Sequence, residues 1–301
     1  MEAGTVPGAG ASGREVALLT NPSSGRGRGR EAGEVALRRL RDAGFGVRDL
    51  CATDAAHGLE LARAAVADGV WALVVVGGDG MVHLGTQAVA ESEVHLGIVP
   101  TGTGNDVARY VGVPRRDPTA AVDRVIASSP RRLDLARSGA TYFVTVLAAG
   151  FDAVVNERAN AMTRPRGAMR YHLATLAELR TFEPISYTLQ LDGETRRVEA
   201  MLVAVGNGPS FGGGLRITEG ALLDDGMLDV VVIHPMSRLG LVSAYPRLFR
   251  GTHVHLPEYE HHRVREVTIA ASGIVAYADG ERLGALPLTV RSVPGGLSVL
   301  A

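Results

Sequence analysis

Residues 71–84 read WALVVVGGDGMVHL. From Trp71 to Val76 the run is apolar without alternation, which suits a central strand of a parallel sheet covered on both faces. It ends directly in Gly77-Gly78-Asp79-Gly80, and the next helix is predicted from about His83 to Glu91. Glycines at the carboxyl end of a strand let backbone N–H groups approach phosphate oxygens with no Cβ in the way. The N-terminus of the following helix adds the positive end of its dipole. A carboxylate at Asp79, set among those amides, suits Mg²⁺ or an attacking hydroxyl. A strand–helix turn that binds no nucleotide would use the same residues.

The same grammar extends on both sides. A strand at Leu96–Val99 ends in Thr101-Gly102-Thr103-Gly104-Asn105-Asp106, and a helix opens at Asn105. Upstream, Val16–Thr20 runs into Asn21-Pro22-Ser23-Ser24-Gly25. A helix follows with Ala32, Val35, Ala36, Leu40 and Ala43 on one face and a stop at Gly44. A strand at Phe45–Thr53, a helix at Ala55–Asp68 and a helix capped by Asp117 with Pro118 at its first position complete the set. Alternation of strand and helix implies a doubly wound parallel sheet. In such sheets ligands bind outside the carboxyl ends of the strands, so the loops at Asn21, Thr53, Gly77 and Thr101 mark one site. Arg26, Arg28 and Arg30 either meet phosphates there or form a solvated run; capping alone would also account for Thr103, Asn105 and Asp106.

Beyond about Leu133 the texture becomes β-rich. Tyr142–Ala148 is strand-like, and Tyr187, Leu189 and Leu191 alternate into a turn at Asp192-Gly193, with Arg196–Val205 returning as a hairpin. Strands are predicted at Leu228–Ile233, Val264–Ala270, Ile274–Ala278 and Leu288–Val293, with a last turn at Pro294-Gly295-Gly296. Helices are predicted at Ala168–Leu179 and Ser237–Phe249. The domains read as a disordered leader (1–14), an α/β nucleotide-binding domain (15–129) and an antiparallel β-sandwich carrying substrate and metal functions (130–301).

Bulk properties set limits on the chemistry. The chain has 301 residues, a formal net charge of −1 and one cysteine, Cys51. No global basic field favours nucleic acid, and neither a disulfide framework nor a cysteine-cluster metal site is available. All 31 basic residues are arginine, since the chain has no lysine. That excludes a P-loop lysine and Schiff-base chemistry, so phosphates would be handled by backbone N–H groups, arginine and Mg²⁺. No apolar stretch reaches the roughly 18 residues of a membrane span. The expected location is cytoplasmic, peripheral to the inner face of the membrane.

The motifs NPSSGRG, VVVGGDG, PTGTGND, LDLARSG, GFDA, GNGPSFGGG, LLDDGMLDV and ADGERL occur in that order. From Val16 to the end, the chain resembles the diacylglycerol kinase catalytic-domain superfamily, which includes bacterial lipid kinases and sphingosine kinases, with NAD kinases more distant. The resemblance implies a Mg²⁺-dependent kinase that moves the γ-phosphate of ATP onto a lipid alcohol such as diacylglycerol. On the matching positions, Asn21, Ser24, Gly25, Thr53, Gly77, Gly78, Asp79, Gly80, Met81, Val82, His83, Thr103, Asn105 and Asp106 would form the nucleotide site. Glu281 would be the general base, in an acidic turn with Asp279. Leu222 and Met227, through their carbonyls, and Asp225 would hold a structural metal, while Asp106 and Asp134 would join Asp79 around the catalytic one.

The chain departs from the family pattern at Met81, where Thr is usual, and at Leu84, where an acid is frequent. A kinase for a soluble hydroxyl compound, NAD-kinase-like, and a catalytically weak nucleotide-binding regulator are the competing readings. The basic and apolar segment 157–176, with Arg158, Arg164, Arg166 and Arg170, suits lipid head groups or simply a solvated helix face. His253, His255, His261 and His262 read as an exposed loop. The sequence also allows a homodimer.

Overall fold

The computed structural model describes residues 13–150, 162 and 183–301. The segment 157–176 apart from Met162, the helix predicted at Ala168–Leu179 and most of the GFDA motif lie outside the described residues, as does the leader up to residue 12. The chain divides into two units, one up to Leu133 together with Gly295–Ala301, the other Asp134–Pro294.

The first unit is a parallel sheet of β1 (Glu15–Thr20), β2 (Gly46–Leu50), β3 (Ala72–Gly77) and β4 (His95–Pro100), in the order β2-β1-β3-β4. Its helices are α1 (Arg28–Asp42), α2 (Ala55–Ala67), α3 (Asp79–Val89), α4 (Asp106–Tyr110) and α5 (Pro118–Ala127). α1 packs with α5 and α2 with α3, covering both faces. Every residue of β3 is buried as a result, and each fully buried valine or leucine contributes about 1.5–3 kcal/mol. Strand order reverses between β1 and β3, so a crevice opens at their carboxyl ends. The register sets those ends level: Thr20 lies opposite Val76, and Gly77 opposite Pro100. α3 starts at Asp79, four residues before the predicted start, because Gly78 serves as its N-cap.

In the second unit, two antiparallel sheets enclose a core. One contains β7 (Val146–Gly150), β10 (Leu202–Gly206), β11 (Leu228–Ile233), β12 (Tyr259–Val264), β14 (Val275–Ala278) and β15 (Glu281–Ala285), in the order β12-β11-β10-β7-β14-β15. The other pairs β8 (Ile185–Leu191) with β9 (Glu194–Ala200) and with β13 (Glu266–Ala270). Leu147, Val203 and Val230 from the first sheet meet Tyr187, Leu189 and Ile269 from the second. The Tyr187 hydroxyl donates to the Ala149 carbonyl at 3.0 Å, and burial pushes its pKa up. β5 (Pro130–Ser138) and β6 (Thr141–Phe143) pair with each other.

Two sequence expectations change here. The return strand of the hairpin stops at Ala200, and Leu202–Gly206 pairs in the other sheet. The reason is visible in the residues: 194–200 stays largely exposed, whereas Val203–Gly206 is wholly buried. The expected turn at Pro294-Gly295-Gly296 is part of one long strand, β16 (Leu288–Leu300). Gly295, at φ 61°, supplies a local irregularity that keeps the strand continuous through the proline. β16 pairs with β13 through Leu288–Arg291 and with β4 through Val299–Leu300, which carries the last residues back to the first unit.

Candidate active site

Three loops at the carboxyl ends of β1, β3 and β4 interlock. The Asp79 carboxylate is the clasp: Oδ2 accepts the N–H of Asn105 and Oδ1 that of Asp106, both at 2.8 Å. The glycines make room for it. A Cβ on Gly102 would lie 2.6 Å from the Gly78 Cα, and one on Gly104 would lie 2.5 Å from Asp79 Oδ2. Asn105, at φ 54°, donates its side-chain amide to the Gly102 carbonyl at 2.8 Å. Arg109 braces the same corner, pairing with the Asp106 carboxylate and donating to the Gly104 carbonyl at 2.9 Å. The first loop joins through the Ser24 and Thr101 hydroxyls, which hydrogen-bond. Gly25 lies over the Thr101 carbonyl so closely that a Cβ would sit 2.2 Å from it.

The opening turn of a helix leaves its first N–H groups without intrahelical acceptors. At α3 the Met81 N–H already turns back to the Gly78 carbonyl at 3.0 Å, so the turn faces outward at Gly80, which is exposed, as is Thr103 at the neighbouring loop tip. Val82 is buried in the core, and its N–H donates to the Gly78 carbonyl at 3.2 Å. His83 is half-buried, with its carbonyl taken by Gln87.

Beside this corner lies a cavity of about 310 Å³ lined by Asn21, Thr53, Asp54, Ala55, Met81 and Leu84, among others. Asn21 Oδ1 accepts from the Ser23 N–H and hydroxyl, closing its own turn. Thr53 Oγ1 donates to Asp54 at 3.2 Å and contacts His57 Nδ1 at 3.1 Å, while Asp54 caps α2 by accepting the His57 N–H. That backbone N–H is the main reason the Asp54 carboxyl lies below its ordinary value. Arg28 turns back to the Gly25 carbonyl, and Arg30 lines an adjoining cavity of about 330 Å³.

In the second unit, Asp279 is also a clasp. Its Oδ2 accepts the Val144 N–H at 3.0 Å, and its Oδ1 accepts the Thr145 N–H and hydroxyl at 2.8 and 2.6 Å. Glu281, two residues on at the start of β15, is exposed. Asp134 is buried; its Oδ2 accepts the Gly226 N–H, and its own N–H donates to the Leu223 carbonyl, both at 2.6 Å. Asp225 accepts the Met227 N–H at 3.0 Å and forms an ion pair with Arg263. In the Leu222–Met227 loop the expected side-chain ligand, Asp225, is already neutralised by the Arg263 guanidinium, so the loop in this arrangement does not offer that carboxylate to a divalent cation. Among the described residues no group of three or more His, Cys, Asp or Glu side chains is arranged to hold a metal.

Residues 15–138 match the model of the diacylglycerol kinase catalytic domain, and residues 145–301 match that of the YegS C-terminal NAD kinase beta sandwich-like domain. A diacylglycerol kinase of Mycobacterium tuberculosis is 41% identical over 292 residues, spanning 95% of this chain and 94% of that protein. The chain belongs to the diacylglycerol kinase family. It is an enzyme of the kinase class. The crystal structure of a diacylglycerol kinase from Bacillus anthracis has the same fold, with a TM-score of 0.71 at 21% identity over 95% of this chain and 96% of that one. An NAD kinase from Archaeoglobus fulgidus, solved in complex with ATP, shares the fold more loosely, with a TM-score of 0.55 at 13% identity over 96% and 93% of the two chains.

Within this family frame, the two departures noted in the sequence fall in one place. Met81 and Leu84 both line the 310 Å³ cavity, and Met81 folds over Gly77, whose Cβ position lies 2.2 Å from Met81 Cγ. A hydroxyl and an acid are thereby exchanged for an apolar wall. Sequence reasoning missed Arg109, Thr145 and Asn207. The Asn207 amide is fully buried and donates to the Asp134 and Val144 carbonyls at 2.9 and 2.8 Å. Only the three-residue spacing of Asp106 and Arg109 carried a signal. The histidines are an exposed loop only in part: His255 is exposed, but His253 is buried, and His261 and His262 sit on β12 paired with Asp229 and Glu260. Asp229 reaches His261 through the pairing of β11 with β12, which residue spacing along the chain does not display, whereas Glu260 stands two residues before His262 on the same strand.

Proposed function

We propose that the chain transfers the γ-phosphate of ATP, as its Mg²⁺ complex, to the hydroxyl of diacylglycerol or a similar lipid alcohol. The observation that carries this reading is the clasp of Asp79 on Asn105 and Asp106, which fixes two glycine loops at the carboxyl ends of β3 and β4. Such a corner presents backbone N–H groups and a helix N-terminus to phosphate oxygens, as a chain without lysine requires. The adjoining cavity, with Asn21 and Thr53 on its walls, takes the nucleoside. Oxygen donors at this corner suit Mg²⁺, which when bound with the nucleotide neutralises charge on its terminal phosphates. Glu281 takes the proton of the attacking hydroxyl, a task for an accessible carboxylate. Asp279, held by three bonds from Val144 and Thr145, positions the turn that carries Glu281.

The test is transfer of labelled γ-phosphate from ATP with Mg²⁺, offering diacylglycerol in detergent against soluble alcohols and NAD. Labelled lipid is the expected product. Glu281→Gln should lower kcat by about 10²–10⁴-fold with nucleotide affinity unchanged. Label on a soluble acceptor alone would overturn the lipid assignment and keep the kinase site.

A further inference from the structure

Four large hydrophobic side chains are exposed among the described residues, and three of them lie on one helix, α6 (Arg238–Arg250). Leu239 is 83% exposed, Val242 50% and Phe249 46%. Their spacing puts them on one stripe of the helix, while Leu241, Ala244 and Leu248 turn the opposite face inward. Leu241 and Leu248 pack on the core formed by Ile217, Val231 and Ile233. The helix is therefore anchored from behind and leaves its second apolar stripe uncovered. Arg238, Arg247 and Arg250 on the same helix are exposed, and α6 carries no acidic residue. None of these three arginines is in an ion pair with the described residues.

We infer that this arginine-flanked apolar stripe of α6 docks the enzyme on an anionic phospholipid bilayer. An apolar ridge flanked by cations is matched by acyl chains beneath anionic head groups. A second copy of the chain fits worse, since a symmetric contact through this stripe would bring three arginines against three, with no acid on the helix to offset them. The inference rests on the lipid-acceptor reading, for which a bilayer is where the substrate is met.

The experiment is sedimentation of the full-length protein, without nucleotide, with vesicles of phosphatidylglycerol and phosphatidylcholine, or of phosphatidylcholine alone. The protein should bind the mixed vesicles preferentially, and added salt should weaken binding. Replacing one arginine by glutamine should lower partitioning about fivefold. The L239S/V242S/F249S variant should lower it about tenfold or more. In both cases phosphorylation of short-chain diacylglycerol dispersed in detergent should be unchanged. That assay separates loss of docking from failure of the lipid-kinase reading. Equal binding to both vesicle types, no binding, or a triple variant that sediments like the parent would each overturn the inference. So would a shift from dimer to monomer in light scattering with vesicle binding intact. If the triple variant melts early, the single substitutions R247Q and R250Q at exposed positions decide the question.

Discussion

Asp79→Asn tests whether one carboxylate does structural as well as chemical work. In the parent chain both oxygens accept backbone N–H groups at 2.8 Å, from Asn105 and Asp106. Asparagine keeps one oxygen and turns an NH₂ toward the other N–H. A donor in this half-buried corner that loses its acceptor costs about 1–3 kcal/mol, and the surviving bond weakens by about 1 kcal/mol when its acceptor is no longer charged. A total near 3 kcal/mol corresponds to a fall in Tm of about 6–12 °C for a unit of this size. Trp71 is the single tryptophan and precedes β3, so its fluorescence reports melting of the first unit. We expect the lower Tm, and with it lost nucleotide binding, because Gly102 and Gly78 are no longer held together. An unchanged Tm with abolished turnover would refute the reasoning and leave Asp79 a purely chemical role.

Gly102→Ala places a Cβ 2.6 Å from the Gly78 Cα. The backbones must part at a cost of about 1–3 kcal/mol, so nucleotide affinity measured by fluorescent-ATP titration should fall at least about tenfold; retained affinity would show that the loops need not touch. Glu260 is pushed up by burial, but bonds from His234, His262 and Arg196 outweigh this and lower it from its ordinary 4.5 to about 2. Because its folded value is depressed, its stabilisation is complete above pH 4.5 and is lost as pH falls through about 2. The Tm gap between the parent and Glu260→Gln should therefore close across that window, and a gap independent of pH would contradict it. Arg263→Gln frees the Asp225 carboxylate from its ion pair. Melting of the nucleotide-free parent should ignore EDTA, while the variant should gain stability with Mg²⁺; a parent destabilised by EDTA would show that a cation holds this loop after all.

The α/β half was legible in the sequence because its signals are local. An all-apolar run such as Leu73–Val76, followed by glycines and a capping residue, carries strand, turn and helix start within a dozen positions. The order of eight motifs carried the family for the same reason. What the sequence left open depends on residues distant along the chain. Only folding sets Asp79 against the N–H groups of residues 105 and 106, because sheet register levels the ends of β3 and β4. Only strand pairing lays β12 against β11 and gives His261 its partner Asp229. The turn read at Pro294-Gly295-Gly296 failed because glycine and proline mark a break by local propensity, while pairing along β16 decides whether the chain stops or passes through. Residue types thus determined the chemistry available to this protein, phosphate handling without lysine, and tertiary pairing decided which carboxylates brace the loops and which one, Glu281, is left exposed.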